Sequence, residues 1–446
     1  MYSIKFFGAT GCVTGSSYFL FDEVGKGILV DFGMFQEVGQ TQHNTTPLPL
    51  DAKNIAGVFL THAHLDHCGR LPMLIRMGYF GKIYMTEPTK LLIELSLMDA
   101  VRVAQDSPKD LLYTEDDVVQ MLRQVEIVQY EDEIKVGDFA VTFWDAGHIL
   151  GSALLEVVTK KDSKRIIFSG DLGNTPHELL QPTATIPEAD VVIMESTYGG
   201  SIHPEEDTNG IIQREINAIE KSEGTLLLPA FSLDRTQELL HKINHFKHDE
   251  KVSQETPVFL DSPMGIHATL IYKEFPQIYN QELSEHAKRE DPFNFPNLAM
   301  VDESRDSRKI KLVTGPKVII AGSGMMSGGR ILRHAAVYLP LVTTHLLLTG
   351  YQAEGTLGRK IQDGLRRVIL DDHSLAVNAT VTSIEGMSAH ADQPKLLAWL
   401  KHIRGVKKVF LTHGENDERK ALFDKVREAV SIEEIILPQM NEVIPV

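Results

Sequence analysis

The chain carries one dense cluster of potential metal ligands, Thr61-His62-Ala63-His64-Leu65-Asp66-His67. The cluster directly follows an apolar run, residues 58–61, that is typical of a buried strand. In an extended segment His62 and His64 point the same way and can share an ion, whereas the Asp66-His67 pair needs a turn to reach a second ion. Imidazole and carboxylate donors suit zinc, and the chain lacks the CxxC pairs common in closed structural zinc sites. The cluster therefore predicts a catalytic metal site.

Polar side chains also follow several other predicted strands. These strands cover residues 27–31, 139–144, 165–168, 191–194 and 409–411. The first ends in Asp31, and the others lead to His148, Asp171, Glu195 and His413. Strand ends with polar side chains are where α/β proteins assemble their sites. Each residue alone is a weak indication, but together with the histidine cluster they indicate one site.

Four segments together resemble the metallo-β-lactamase superfamily: THAHLDH (61–67), DAGH (145–148), FSGD (168–171) and LTHG (411–414). The resemblance implies two β-sheets packed face to face with helices outside, and a two-metal site at one edge. It assigns the ligands of the first zinc as His62, His64 and His148, and those of the second as Asp66, His67 and His413. It makes Asp171 the bridging ligand and Asp31 a residue that orients a ligand.

The ligands Asp171 and His413 are 242 residues apart, whereas hydrolases of small esters in that superfamily need no domain-sized insertion at this point. The intervening and following segments resemble the β-CASP branch, whose members are nucleases and in many cases ribonucleases. The matching segments are 195–199, 229–237, 260–264, 322–330, 350–359, 386–392 and 411–415. Gly200-Ser201 departs from the Asp-Arg pair expected there, but neither residue is a predicted ligand.

The resemblance implies a two-zinc ribonuclease that hydrolyses RNA through a metal-bridging hydroxide and leaves 5′-phosphate and 3′-hydroxyl ends. The implied catalytic group is Asp66, His390 and Glu195. A histidine with an ordinary pKa of about 6.5 can protonate the leaving oxygen near neutral pH, and Glu195 would hold the His390 ring. Ser388 would hydrogen-bond a phosphate oxygen near the start of a helix capped by Asp392.

Three arginines in or beside turns, Arg235, Arg330 and Arg359, are candidates for gripping single-stranded RNA in a cleft between domains. Structural ion pairs are an equally good explanation for each of them. The turn at residues 322–329 is not a Walker loop, because no Gly-Lys-Ser/Thr follows. It is either a plain packed turn or one that offers backbone N–H groups to a phosphate.

The predicted architecture is an α/β metallo-β-lactamase αββα sandwich, split by an inserted α/β β-CASP domain with a parallel sheet. Residues 1–205 form the first part of the sandwich, residues 206–365 the β-CASP domain, and residues 366–446 the second part. The polar stretch 280–309 is predicted to be a surface excursion.

Composition limits the function further. The 446 residues carry a net charge of −17, which argues against a general basic coat for nucleic acid but not against a local basic groove. The two cysteines exclude a disulfide framework, and neither a signal-peptide pattern nor an apolar run of ~20 residues is present. We therefore expect a cytoplasmic protein with no membrane partner, and a homodimer is left open.

Two other classes of function stay open from the sequence. One is another metallohydrolase of the superfamily, acting on DNA or on a small ester. The other is an inert scaffold that binds RNA or a partner without cutting. The complete set of seven ligands argues against the scaffold, and the insertion with His390 argues against a small ester. No residue of the sequence reads a 2′-hydroxyl, so RNA rather than DNA rests on the resemblance.

Overall fold

The computed structural model describes residues 2–37, 39–105, 111–370 and 372–446. The described residues form two compact units, Met1–Ile202 with His390–Val446, and His203–Ala389. The sequence analysis ended the inserted segment at residue 365, whereas the second unit continues to Ala389. The reason is that β19 (Thr380–Ile384) pairs in parallel along β16 (Thr344–Thr349) and so completes the sheet of that unit.

The first unit contains two seven-stranded sheets. In spatial order the first sheet is β22 (Val443–Pro445), β1 (Ser3–Phe6), β2 (Tyr18–Phe21), β3 (Gly27–Val30), β4 (Ile55–Phe59), β5 (Ile83–Thr86) and β6 (Val125–Val128). The second sheet is β21 (Glu434–Ile436), β20 (Lys408–Leu411), β11 (Val191–Met194), β10 (Arg165–Phe168), β9 (Ala153–Thr159), β8 (Phe139–Asp145) and β7 (Glu133–Val136). Both sheets mix parallel and antiparallel pairs.

The two sheets bury one apolar core between them. Phe59 of the first sheet packs against Phe143 of the second with ring centroids 6.2 Å apart, and Phe6 against Phe410 at 5.3 Å. The helices of this unit are α1 (Leu65–Cys68), α2 (Met73–Arg76), α3 (Glu87–Gln105), α4 (Glu115–Leu122), α12 (Gln393–His402) and α13 (Asn416–Ala429). Helix α3 packs on the first sheet, and α12 and α13 cover the outer face of the second. This confirms the predicted αββα sandwich.

The second unit is built on a six-stranded sheet in which every neighbouring pair is parallel. Its spatial order is β14 (Leu298–Met300), β13 (Val258–Leu260), β15 (Lys317–Ala321), β12 (Thr225–Pro229), β16 and β19, and a separate hairpin joins β17 (Arg367–Leu370) to β18 (His373–Ala376). The helices are α5 (Thr208–Ser222), α6 (Arg235–His248), α7 (Pro263–Glu274), α8 (Gln281–Ala287), α9 (Ser304–Ser307), α10 (Arg330–Tyr338) and α11 (Leu357–Gln362). The inserted parallel α/β unit is therefore confirmed.

Residues 280–309 differ from the predicted surface excursion. They contain α8, the edge strand β14 and α9. Leu283 and Phe293 are fully buried, and Phe295 is nearly so. The scattered apolar residues of this polar stretch therefore pack into the unit, and the prediction was wrong there.

Local signals in the sequence position the elements next to the site. The Asp392 side chain accepts a hydrogen bond from the Lys395 N–H and so caps α12, as predicted. Gly78 has φ +82 just after the short helix α2, the left-handed conformation expected of a C-terminal cap.

Cys12 and Cys68 are both buried free thiols. Among the described residues, no helix combines the length and the hydropathy that a transmembrane segment needs.

Candidate metal centre

The histidine cluster lies where the chain leaves β4 and turns into α1. His62 and His64 occupy the extended segment after the strand, and α1 then brings Asp66 and His67 back to the same edge. The neighbouring backbone approaches this turn very closely at Gly33. A Cβ added there would lie 1.5 Å from the Asp66 carbonyl oxygen, so only glycine fits.

The first group of candidate ligands is His62, His64 and His148. The His62 Nε2 and His148 Nε2 atoms lie 3.1 and 3.2 Å from the His64 Nδ1 atom. Burial, with the neighbouring His67, lowers the pKa of His62 to about 3, and burial also holds the pKa of His148 well below its usual value. Neutral imidazoles with converging nitrogens are competent metal ligands.

The second group is Asp66, His67 and His413. The two histidine Nε2 atoms are 3.0 Å apart, and the His413 Nε2 lies 3.4 Å from the Asp66 Oδ2. The ring of His67 is oriented by Asp31, whose Oδ2 lies 2.7 Å from the His67 Nδ1. The ring of His413 is oriented by Thr197, whose hydroxyl lies 3.0 Å from the His413 Nδ1.

Asp171 lies between the two groups. Its Oδ2 is 3.3 Å from the His62 Nε2 and 3.5 Å from the His148 Nε2. Its Oδ1 is 3.2 Å from the His67 Nε2 and 3.4 Å from the His413 Nε2. Burial raises the pKa of this carboxyl, but the surrounding imidazoles outweigh burial and hold the pKa well below its usual range. An ionised carboxylate thus faces each group with a different oxygen.

The carboxylate oxygens and imidazole nitrogens of both groups are suited to binding cations. Both Asp171 oxygens are buried, and neither accepts a hydrogen bond from any residue in the part of the chain that the structure describes. Asp31 accepts a hydrogen bond from the His67 Nδ1–H, so in neutral His67 the Nε2 carries the lone pair, and this lone pair faces His413. Buried polar atoms normally have partners. A cation in each group would supply them.

His390 differs from the other histidines in its partners. Its Nδ1 lies 3.2 Å from the Glu195 Oε2, and its Nε2 lies 4.0 Å from the Asp171 Oδ2. Glu195 is buried and is itself fixed by the Leu172 N–H, 2.6 Å from its Oε1. Burial lowers the pKa of His390, but the Glu195 and Asp171 carboxylates outweigh it and raise the pKa to about 9. A cation beside Asp171 would oppose that carboxylate's effect.

The remaining predicted site residues belong to the second unit. Arg330 Nη1 donates to the Asp261 Oδ1 at 2.7 Å and to the Val301 carbonyl at 2.9 Å. Arg235 is buried and pairs with Glu238 on the same helix. Both guanidinium groups therefore make ion pairs within their own unit.

Two other predicted contacts have solvent access. Arg359 is 42% exposed, and its Nε donates to both oxygens of Asp363 at 3.0 Å. Ser388 is half-buried in the segment after β19.

The sequence analysis missed several residues that shape the site or its surroundings. Thr61 donates to both Asp31 oxygens through its backbone and its hydroxyl, and Thr197 orients His413. Neither is a ligand type, so no pattern in the sequence pointed to them.

A second histidine cluster was also not predicted. His241 and His245 are four residues apart, the spacing of one helical turn, and this could have been noticed.

Gly200-Ser201, which departs from the expected Asp-Arg pair, contacts α13. The Gly200 N–H and the Ser201 hydroxyl both donate to the Glu418 carboxylate. The segment is therefore anchored within the first unit by other contacts.

Three protein-family models match successive parts of the chain. The Metallo-beta-lactamase superfamily model matches residues 10–201, the Beta-Casp domain model matches residues 236–361, and the Zn-dependent metallo-hydrolase RNA specificity domain model matches residues 374–438. The fold and the site thus define a metallohydrolase of the metallo-β-lactamase superfamily.

Curated relatives match over most of the chain. "Ribonuclease TTHA0252" of Thermus thermophilus is 35% identical over 99% of this chain and 99% of its own length. An "RNase J-like protein" of Methanocaldococcus jannaschii is 32% identical over 93% of each chain. "Transcription termination factor FttA" of Pyrococcus horikoshii is 31% identical over 87% of this chain, which spans only 62% of that factor. The chain belongs to the β-CASP ribonuclease family.

A solved structure gives the fold alone. A crystal structure of a protein of unknown function from Enterococcus faecalis V583 has a TM-score of 0.57 and covers 99% of each chain. At 15% identity it carries no argument about activity.

Proposed function

We propose that this chain is a zinc-dependent ribonuclease that holds two Zn²⁺ ions and hydrolyses RNA phosphodiester bonds. One observation carries the proposal: the buried Asp171 carboxylate presents one oxygen to His62 and His148 and the other to His67 and His413. A shared carboxylate between two imidazole groups is what a pair of neighbouring cations requires. Hydrolytic two-metal sites are common among phosphodiesterases and nucleases.

Zinc is favoured by the donor set, which combines neutral imidazoles with carboxylates and contains no thiolate. We propose His62, His64 and His148 as ligands of one ion, Asp66, His67 and His413 as ligands of the other, and Asp171 as the shared ligand. The two ions would supply Lewis acidity at the scissile phosphate and lower the pKa of a water molecule. Asp31 and Thr197 keep the ligand rings of the second group in orientation.

In the proposed reaction a water oxygen joins phosphorus and the bond from phosphorus to the 3′-oxygen of the upstream nucleotide breaks. The departing 3′-oxygen then needs a proton. We propose that His390 supplies it from Nε2, because Glu195 occupies Nδ1 and Nε2 faces Asp171. Asp66 has 16% of its side chain exposed against 1% for Asp171, so it is the proposed acceptor of the proton that leaves the water.

Several observations support RNA as the substrate. The model that matches residues 374–438 is named for RNA specificity, and the relatives of 32–35% identity are named as a ribonuclease and an RNase J-like protein. We propose Ser388 and Arg359 as phosphate contacts. We also propose Arg235 and Arg330 as phosphate contacts. We expect each to contribute less to RNA binding than Arg359, because their charges already have partners within the unit.

The proposed location is the cytoplasm, and two buried free thiols suit a reducing compartment. A homodimer stays a prediction.

The experiment that tests the proposal is incubation of the purified chain with end-labelled single-stranded RNA and with DNA of the same sequence. We expect RNA to be cut, cutting to stop with a chelator, and zinc to restore it. Cleavage of DNA alone would replace the ribonuclease by a DNA nuclease. No cleavage of either, with metal bound, would favour an inert binding scaffold.

A further inference from the structure

A second cluster of histidines lies in the inserted unit. Helix α6 carries His241 and His245, which are one turn apart on one face, and α8 carries His286. The His241 Nε2 lies 2.9 Å from the His245 Nε2 and 3.4 Å from the His286 Nδ1. One nitrogen from each ring falls within 4.8 Å of the other two, although 45 residues separate the first ring from the last. Three imidazole nitrogens thus converge on one point.

The protonation of His286 is fixed from outside the cluster. Its Nε2 lies 3.1 Å from the Glu290 Oε1, one turn further along the chain. The imidazole N–H donates to that carboxylate, so in the neutral ring the lone pair is on Nδ1, the atom that faces His241. A carboxylate that orients a histidine in this way is the usual outer partner of a metal-bound imidazole. The His286 ring is therefore oriented so that its Nδ1 could bind a metal ion.

Burial and access also suit a bound ion. His241 is fully buried and His286 is 5% exposed, whereas the His245 side chain is 35% exposed. The cluster therefore has two fixed ligands and one at the surface, through which an ion can enter. The Glu282 carboxylate is exposed and lies 4.0 Å from the His245 Nε2, so it or a water molecule can fill a fourth position.

We propose that His241 Nε2, His245 Nε2 and His286 Nδ1 form a binding site for a further divalent transition-metal ion, with zinc favoured by the three imidazole donors. The ion would fasten α8 to α6. Helix α8 has only seven residues and gains little stability from its own hydrogen bonds, so a cross-link to α6 would stabilise it. This proposal concerns the inserted unit and does not depend on the proposed ribonuclease activity.

The test compares metal content at a defined free-zinc concentration set by equilibrium dialysis. The three samples are the parent chain, His245→Gln and the matched control His248→Gln, which changes an exposed histidine three residues further along the same helix. We expect His245→Gln to bind one zinc fewer per chain than the parent and the control, with RNA cleavage retained. Equal zinc content in all three proteins would overturn the proposal.

A second variant protects the test against misfolding. Glu290 is 54% exposed, so Glu290→Ala should fold normally, and loss of its hydrogen bond should weaken zinc binding at this site about 10–100-fold. Titration with Co²⁺, followed by the visible absorption of four-coordinate cobalt, measures that affinity. An unchanged affinity in Glu290→Ala would contradict the assigned orientation of His286, and a parent chain without any additional cobalt site would overturn the proposal outright.

Discussion

At the scale of single residues, the hydrogen-bond partner of His390 distinguishes it from the proposed metal ligands. Its Nδ1 is held by a buried carboxylate, and its Nε2 lies further from Asp171 than any ligand nitrogen paired with that carboxylate. Removing a metal ligand lowers both the metal content and the cleavage rate, whereas removing a proton donor lowers only the cleavage rate. The distinction can be measured.

We expect His390→Ala to slow RNA cleavage by about 10²–10⁴-fold, the usual contribution of a general acid, while metal content stays at that of the parent. The control His64→Ala should lose cleavage and bind less metal than the parent. Kinetics under saturating RNA together with elemental analysis give the two readouts. Release of metal from His390→Ala would make His390 a ligand.

Asp261 is a buried carboxylate with three partners in the second unit. The His334 Nε2 and the Ser307 hydroxyl each lie 2.6 Å from its Oδ2, and Arg330 binds its Oδ1. Burial raises the pKa of Asp261, but these hydrogen bonds outweigh burial and lower it. A depressed folded-state pKa means that the ionised carboxylate stabilises the fold above its unfolded pKa of about 3.9.

We therefore expect Asp261→Asn to lower the free energy of unfolding at pH 7 by about 1–3 kcal/mol, because Arg330 and His334 lose an ionised partner. The difference from the parent should shrink as the pH falls from about 4 toward the lowered pKa of the folded state, because Asp261 is protonated first in the unfolded chain. Denaturant unfolding of both proteins between pH 3 and pH 7 measures this. A difference that is constant across that range would show that ionisation of Asp261 does not stabilise the fold.

Alanine variants of Arg359 and Arg330 should distinguish a contribution to RNA binding from a contribution to stability. Arg359→Ala should leave the free energy of unfolding close to that of the parent, because its ion pair is exposed, and should reduce the salt slope of RNA binding by about one counterion. Arg330→Ala should instead destabilise the chain, because it leaves the buried Asp261 without its guanidinium partner. Binding isotherms at several salt concentrations decide the first point. An unchanged slope in Arg359→Ala would leave that arginine with a structural role.

At the scale of elements, the turn that carries Asp66 and His67 depends on a neighbouring glycine. The Gly33 position leaves no space for a Cβ because the Asp66 carbonyl lies in its place. A displaced α1 would move two ligands of one group but none of the other.

We expect Gly33→Ala to bind fewer metal ions per chain than the parent and to lose about 1–3 kcal/mol of stability, the usual effect of overpacking. The matched control is Gly328→Ala, because a Cβ at Gly328 meets no atom within 4 Å. Elemental analysis and denaturant unfolding compare the two variants. Full metal content in Gly33→Ala would show that the turn tolerates the displacement.

The sequence predicted the elements that follow regular patterns. The strands at residues 165–168 and 191–194 agree with the structure because each is a short run dominated by apolar residues. Residues 280–309 were misread because their apolar residues, such as Phe293 and Phe295, are isolated in a polar stretch and are buried only through tertiary packing. His286 could not be predicted as a partner of His241 and His245, because only the fold brings α8 beside α6.

At the scale of the whole molecule, a complete second unit is inserted in the sequence between the proposed ligands Asp171 and His413. The one proposed ligand after the insertion, His413, reaches the site because β20 pairs in parallel with β11, so that His413 and Glu195 follow neighbouring strands. The candidate site could be predicted because its ligands follow strands. Their pairing distances, and the orienting role of Thr197, depend on that strand order and were not predictable from spacing.

The most direct test of the two-metal mechanism is the chemistry of the new RNA ends. Attack by water, with His390 protonating the departing 3′-oxygen, leaves a 5′-phosphate and a 3′-hydroxyl and does not need the 2′-hydroxyl of RNA. We predict these ends from unmodified RNA and also, at a lower rate, from RNA with a 2′-O-methyl group at the scissile nucleotide. Ends that carry a 2′,3′-cyclic phosphate, or cleavage that persists after complete metal removal, would contradict the mechanism.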